Sequence, residues 1–261
     1  MLAVRLLLES LNNMVRVSRS IVPSFFTVGN MFCGFFSVVA AFDGKYNLAA
    51  WMILAAAFLD AMDGKIARFT NSASKFGVEY DSLADVISFG FAPSLLLYSV
   101  YSQTMGIVGI LIAFLPLLFG SIRLARFNIG VKDFTKGDFS GLPIPIAALT
   151  LASFILFSTY FFDTPVRYPK IMLIVIFLVS ILMVSTIRYE PIPKIKFKGT
   201  YGEKLRVVIL VAAGIMLIIF PHQVLFPLML LYIFSGPIKW IVNFLSGNSS
   251  AAEEARFESK N

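Results

Sequence analysis

NLAAWMILAAAFLDAMDGKIARF, residues 47–69, starts as an uncharged apolar run and ends on two aspartates, a lysine and an arginine. As a helix, a stretch of this length rises roughly 35 Å, enough to cross a hydrocarbon core of about 30 Å. Lipid offers no partners to open backbone groups, so an apolar crossing segment is helical unless strands close into a barrel. No alternating barrel pattern occurs in this chain. The run therefore reads as a membrane helix, and its charged end poses the functional question.

The remainder of the sequence repeats the apolar part of this pattern. Of 261 residues, 58% are hydrophobic, 27 are Phe and only 14% are charged, whereas soluble domains run about 45–50% apolar and 25% charged. Hydropathy and breakers give candidate spans at 20–42, 47–69, 78–101, 104–127, 141–162, 168–188, 204–220 and 222–245. The span at 204–220 is the weakest, because Lys204 and Arg206 must snorkel from its end. The fold class is all-α, a polytopic integral membrane helical bundle.

The cations orient it. Lys45, Arg167 and Lys170 flank the odd-numbered turns between spans, while the other nineteen of 22 Lys and Arg occupy the termini and even-numbered loops. By the positive-inside rule, both termini and the loop around 70–77 face the cytoplasm, which makes this a protein of the cytoplasmic membrane. The net charge of +7 then serves orientation and attraction to anionic membrane lipids. Its dispersion over several loops argues against a nucleic-acid partner. Residues 1–19 read as an interfacial amphipathic helix, 189–203 as a basic cytoplasmic loop, and 246–261 as a disordered cytoplasmic tail. Cys33 and His222 stand alone; a packing residue and an interfacial side chain account for them, and soft-metal chemistry is excluded.

Four carboxylates in such a chain require a reason. At about 100° per residue, Asp60, Asp63, Gly64 and Ala67 share one helix face, and Gly77, Asp81, Asp85 and Ser88 share another. The short linker makes the two helices antiparallel neighbours, so the faces can meet. Small residues leave a cavity and carboxylates line it. Ionised carboxylates at a membrane boundary repel and desolvate poorly without compensation. Oxygen-only donors suit hard divalent cations such as Mg²⁺, Mn²⁺ or Ca²⁺, and four carboxylates suffice for two ions. Paired metals of this kind are a recurring device for phosphoryl displacement. Arg68, one turn from Gly64, is placed to grip a phosphate.

The full pattern, Asp60-x2-Asp63-Gly64-x2-Ala67-Arg68-x8-Gly77-x3-Asp81-x3-Asp85, resembles the complete signature of the CDP-alcohol phosphotransferases. The resemblance implies a six-helix catalytic core over 20–188, two additional helices over 204–245, and transfer of a phosphatidyl-type group from a CDP-linked donor to an alcohol with release of CMP. It also implies a homodimer. It assigns Asp60, Asp63, Asp81 and Asp85 to two metals, Mg²⁺ or Mn²⁺, with Asp85 also a general base. Gly64, Ala67 and Gly77 become positions that admit the nucleotide, and Arg68 a phosphate contact. Thr27, Asn30 and Gly34, at i, i+3 and i+7 of the first span, are open between cytidine contact and helix packing.

SFGFAPS (88–94), RLARFN (123–128) and GLPIP (141–145) resemble the branch of that family whose acceptor is serine. The implied substrates are CDP-diacylglycerol and L-serine. Ser88, Arg123 and Arg126 are the candidate serine-binding residues, the arginines because a guanidinium fork matches a carboxylate. A same-fold enzyme taking glycerol 3-phosphate or inositol is the alternative, and a cation transporter the non-enzymatic one.

Overall fold

A computed structural model of the chain describes residues 25–70, 75–130, 141–187, 189, 214, 216–217 and 219–245, without the side chains of 67–70, 75, 129–130 and 244. The expected helix at 1–19, the 189–203 loop apart from Tyr189, most of the 204–220 span and the 246–261 tail lie outside the described residues. Helix α1 is Phe25–Phe42 and α2 is Tyr46–Thr70. A composite rod, α3, follows as α-helix Lys75–Asp85, π-helix Val86–Phe91, α-helix Ala92–Leu97 and π-helix Tyr98–Ser102. Then come α4 (Gly106–Gly130), α5 (Ile144–Phe162), α6 (Pro169–Val184) and α7 (Pro221–Leu245). No strand occurs among the described residues, and the protein is an all-α membrane bundle.

Phe25–Phe42, Ile144–Phe162, Pro221–Asn243 and the 53-residue stretch Phe76–Asn128 are long and apolar enough to cross a membrane. That last stretch makes two passes: a 3-10 turn at Gln103–Met105 reverses the chain, and α4 folds back along α3. The pattern of exposure is inverted relative to a soluble protein. Phe32, Phe42, Phe58, Ile107, Leu111, Ile174 and Leu231 point outward, where lipid rather than water receives them. Inside, α2 packs on α5 and α5 on α7, through Ala49, Ala50, Ile53 and Ala56 of α2 and Leu151, Ala152 and Ile155 of α5. Small residues allow the close backbone approach that van der Waals packing in a membrane needs.

α2 matches its expected span to one residue at each end, continuing to Thr70, and α3 starts at Lys75, three residues before its own, so the aspartates sit within helix on both sides. Helical backbone does not stop where the apolar pattern stops, since charged residues outside lipid are acceptable helix formers. The π turn over Val86–Phe91 has a cause in Pro93. A proline ring crowds the carbonyl four residues back and supplies no N–H, and a wide turn accommodates both. Within α4 Pro116 withdraws its own donor from the ladder, and the next N–H, of Leu117, donates to Ser94 Oγ at 3.2 Å.

The C-terminal end of α6 organises the loop before α5. Gly141 N–H donates to the Ile187 carbonyl and Leu142 N–H to the Leu182 carbonyl, each at 2.9 Å. Gly141 has φ +85°, and a Cβ there would stand 2.3 Å from the Met183 carbonyl oxygen; only glycine fits. Arg126 Nη1 donates to the Val184 carbonyl at 2.9 Å. Thus RLARFN and GLPIP converge on one helix terminus and satisfy its exposed carbonyls. At the opposite end of the bundle, His222 lies between the rings of Trp51 and Tyr160, with centroids at 5.4 and 5.6 Å.

Candidate active site

The antiparallel pair α2 and α3 brings the two acidic faces together. One carboxylate oxygen from each of Asp60, Asp81 and Asp85 lies within 4.8 Å of the other two. Asp63 stands beside them as an electrostatic neighbour of Asp60 and Asp81, so three of the four aspartates converge directly and the fourth flanks them. Asp63 and Asp85 are buried, at 6% and 9% exposure.

Helix α1 supports both. Thr27 Oγ1 donates to Asp63 Oδ2, and Asn30 Nδ2 donates to Asp85 Oδ1 at 3.4 Å. At Gly34, one turn further on, α1 and α3 approach closely: a Cβ there would meet Ser88 Oγ at 2.4 Å and Ser88 Cα at 2.7 Å. Ser88 is fully buried, and its hydroxyl donates to the Asn30 carbonyl at 2.9 Å. Thr27, Asn30, Gly34 and Ser88 thus form one continuous contact that sets α1 against the acidic helices. Gly64 faces open space where a side chain would be, and Gly77 is half-buried. Ala67 and Arg68 lie on α2, with side chains outside the described ones.

The two arginines part company. Arg123 of α4 is half-buried and within electrostatic reach of Asp85, while Arg126 is exposed and directed to the end of α6. Asn128 Nδ2 donates to Ser82 Oγ at 3.2 Å, binding α4 to α3 beside the cluster. Sequence reasoning missed Tyr232 of α7, the other electrostatic neighbour of Arg123. A tyrosine in an apolar span far from the acidic motif gives no signal of such a contact.

Polar groups here are left wanting. Asn30 Oδ1, Asp63 Oδ1, Asp81 Oδ1 and Arg123 Nε are buried with no hydrogen-bond partner, a condition that costs about 1–3 kcal/mol for each group. Among the described side chains, no lysine or arginine is recorded at ion-pair distance from the four aspartates. Convergent, under-partnered, oxygen-only donors fit hard divalent cations and phosphate oxygens bridging to them.

Carboxylates of this kind, held between antiparallel membrane helices, define the class: a membrane enzyme of metal-assisted phosphoryl-group chemistry. The profile of the CDP-alcohol phosphatidyltransferase family matches residues 20–182, more than half of the chain, and the chain belongs to that family; this family uses divalent metals. The relatives narrow the class. A CDP-diacylglycerol–serine O-phosphatidyltransferase of Helicobacter pylori is 38% identical over 219 residues, covering 84% of this chain and 90% of that protein. The Bacillus subtilis protein of the same name is 36% identical over 173 residues, 66% of this chain and 92% of that one. An archaetidylserine synthase of Methanothermobacter thermautotrophicus is 39% identical over 173 residues, 64% of this chain and 69% of its own.

Proposed function

We propose that the chain transfers the phosphatidyl group of CDP-diacylglycerol to the hydroxyl of L-serine, yielding phosphatidylserine and CMP. The observation that carries this is the convergence of Asp60, Asp81 and Asp85 in a member of the CDP-alcohol phosphatidyltransferase family, whose similar relatives are named for that reaction. In the net reaction, the serine oxygen forms a bond to the phosphorus bearing diacylglycerol. The bond from that phosphorus to the bridging oxygen breaks, and the electron pair leaves with CMP.

Asp60, Asp63, Asp81 and Asp85 are the residues to hold two divalent cations, Mg²⁺ or Mn²⁺. When bound, such ions offset the charge of the pyrophosphate and of the departing CMP. Asp85 is assigned the proton of the serine hydroxyl: it is buried, held by Asn30, and flanked by a cation in Arg123. Arg123 supplies the fork for the serine carboxylate, supported by its buried, unpartnered Nε. Arg68, Gly64, Ala67 and Gly77 line the donor phosphates and nucleotide, with the open space at Gly64 in support. Thr27, Asn30 and Gly34 fix the wall of that pocket.

The catalytic core is assigned to 20–188, with two further helices over 204–245, an interfacial helix over 1–19, a basic loop over 189–203 and a tail from 246. Cation placement supports a cytoplasmic-membrane protein with both termini and the active site toward the cytoplasm. A homodimer is assigned from the family resemblance. The test is an acceptor panel with CDP-diacylglycerol, reading CMP release and lipid product. Serine should be used in strong preference; equal or better turnover with glycerol 3-phosphate or inositol would displace it as the acceptor.

A further inference from the structure

We propose that Asn128 of α4 is a positioning residue for the acidic cluster, acting through Ser82 to hold the Asp81 and Asp85 carboxylates in register with Asp60 for a divalent cation; this rests on the metal assignment above. The first segment of α3, Lys75–Asp85, carries two of the three converging carboxylates. It is thinly covered, with Phe76, Val78 and Leu83 exposed. Helices α4 and α5 pack instead on the π turn Val86–Phe91 that follows it. The force on this segment is repulsive, because carboxylates within 4.8 Å of one another push α3 away from α2 when they are ionised. A contact that opposes this push keeps the oxygens at the spacing a cation requires.

Two neutral amides reach the segment. Asn30 of α1 donates to Asp85 Oδ1 at 3.4 Å, whereas Asn128 takes the serine that lies between the two aspartates in sequence. Its Nδ2 donates to Ser82 Oγ at 3.2 Å. The Ser82 hydroxyl has a single proton to give. Its nearer acceptor is the Val78 carbonyl one turn back, at 3.1 Å, against 3.4 Å for Asn128 Oδ1. The serine oxygen is thereby left to receive the amide, and the pair joins helices across 46 positions of sequence. Ser82 follows Asp81 directly and precedes Asp85 by three residues, so a tie at this point sets both carboxylates along and around the α3 axis. Its chemistry also suits the site. A lysine or arginine here would pair with the carboxylates and compete with a cation, while an amide and a hydroxyl add no charge.

The experiment titrates Mn²⁺ into the full chain in detergent micelles without substrate. Unbound Mn²⁺ is read by its electron paramagnetic resonance signal, so turnover does not enter. Asn128→Leu keeps the size of the side chain and removes the amide. It should raise the Mn²⁺ dissociation constant about threefold to tenfold, the effect of one hydrogen bond and less than that of a partner bonded directly to a ligand. Ser82→Ala should raise it by a similar factor and gives an independent arm should Asn128→Leu not fold. Ser82→Thr, which restores the hydroxyl, should bind as the parent does. The double variant should be no weaker than either single one, because both remove the same contact. Parent affinity in folded Asn128→Leu and Ser82→Ala, with Asp81→Asn weakened, overturns the positioning role and leaves the metal assignment intact. Losses that add in the double variant overturn the route through Ser82. Parent affinity in Asp81→Asn overturns the metal assignment itself, and this proposal with it.

Discussion

Among the described residues, the polar cluster at the end of α6 and the acidic cluster between α2 and α3 are built in opposite ways. At the C-terminal end of α6, the Leu182, Val184 and Ile187 carbonyls each receive a donor, from Leu142, Arg126 and Gly141. At the meeting of α2 and α3, three carboxylates crowd within 4.8 Å, and Asp63 Oδ1 and Asp81 Oδ1 receive no hydrogen bond. Saturation is what architecture needs, because a buried polar group without a partner costs stability. The acidic cluster retains that cost, which is reasonable only where something else supplies the missing partner. The difference separates a motif that holds the fold from the one to which the chemistry is assigned, although the sequence presents both as short polar interruptions.

The sharpest way to break this comparison is at Asp81. Asp81→Asn should lower CMP release by at least about a hundredfold, since a removed metal ligand exceeds the usual effect of a removed supporting contact. Its thermal midpoint should hold or rise, because one charge leaves a crowded site. Near-normal turnover in the folded variant would end the metal-site assignment. Chelation of divalent ions should likewise stop the parent enzyme, with Mg²⁺ or Mn²⁺ restoring it; turnover that persists in excess chelator would contradict the same assignment.

Arg123→Lys comes next. Lysine keeps the charge but loses the two-pronged fork, so serine affinity should fall about tenfold or more, while the CDP-diacylglycerol KM stays near that of the parent. A rise in the donor KM instead would place Arg123 on donor phosphate.

At the saturated cluster the expected losses are in stability, not specificity. Gly141→Ala must force a positive-φ residue against the Met183 carbonyl, at a cost of about 1–3 kcal/mol. Thermal unfolding in detergent should show the decrease, and activity per folded molecule should be retained. Arg126→Lys should have the smallest effect, below about 1.5 kcal/mol, because an ammonium can still donate to the Val184 carbonyl. Serine KM should not move. If it rises as far as in Arg123→Lys, Arg126 belongs to the acceptor site and the contrast between the two clusters narrows.

Much of this was legible in residues 47–69 and 63–85. An apolar run of membrane-crossing length permits little besides helix, so helix number along the described chain and the positions of α1 to α6 followed from hydropathy to within a few residues. The acidic motif was legible too, because four carboxylates and several small residues repeat at helical spacing. The first turn of α3 was not, since the helix starts three residues before the expected span, in charged sequence. Nor were the uses of Arg123 and Arg126. Both fit an arginine fork and they lie one turn apart, yet one stays within electrostatic reach of Asp85 and the other donates to the Val184 carbonyl.

The sequence by itself determined the solvent of the fold, the all-helical backbone and the spacing of the acidic motif. Each depends on local composition and period, which a single segment carries within itself. Tertiary structure alone decided which groups are left without partners, that Gly34 admits Ser88, and that Gly236 of α7 admits the ring of Tyr189. Those are contacts between segments far apart in sequence, fixed by how helices pack on one another, and no periodicity within either segment encodes them.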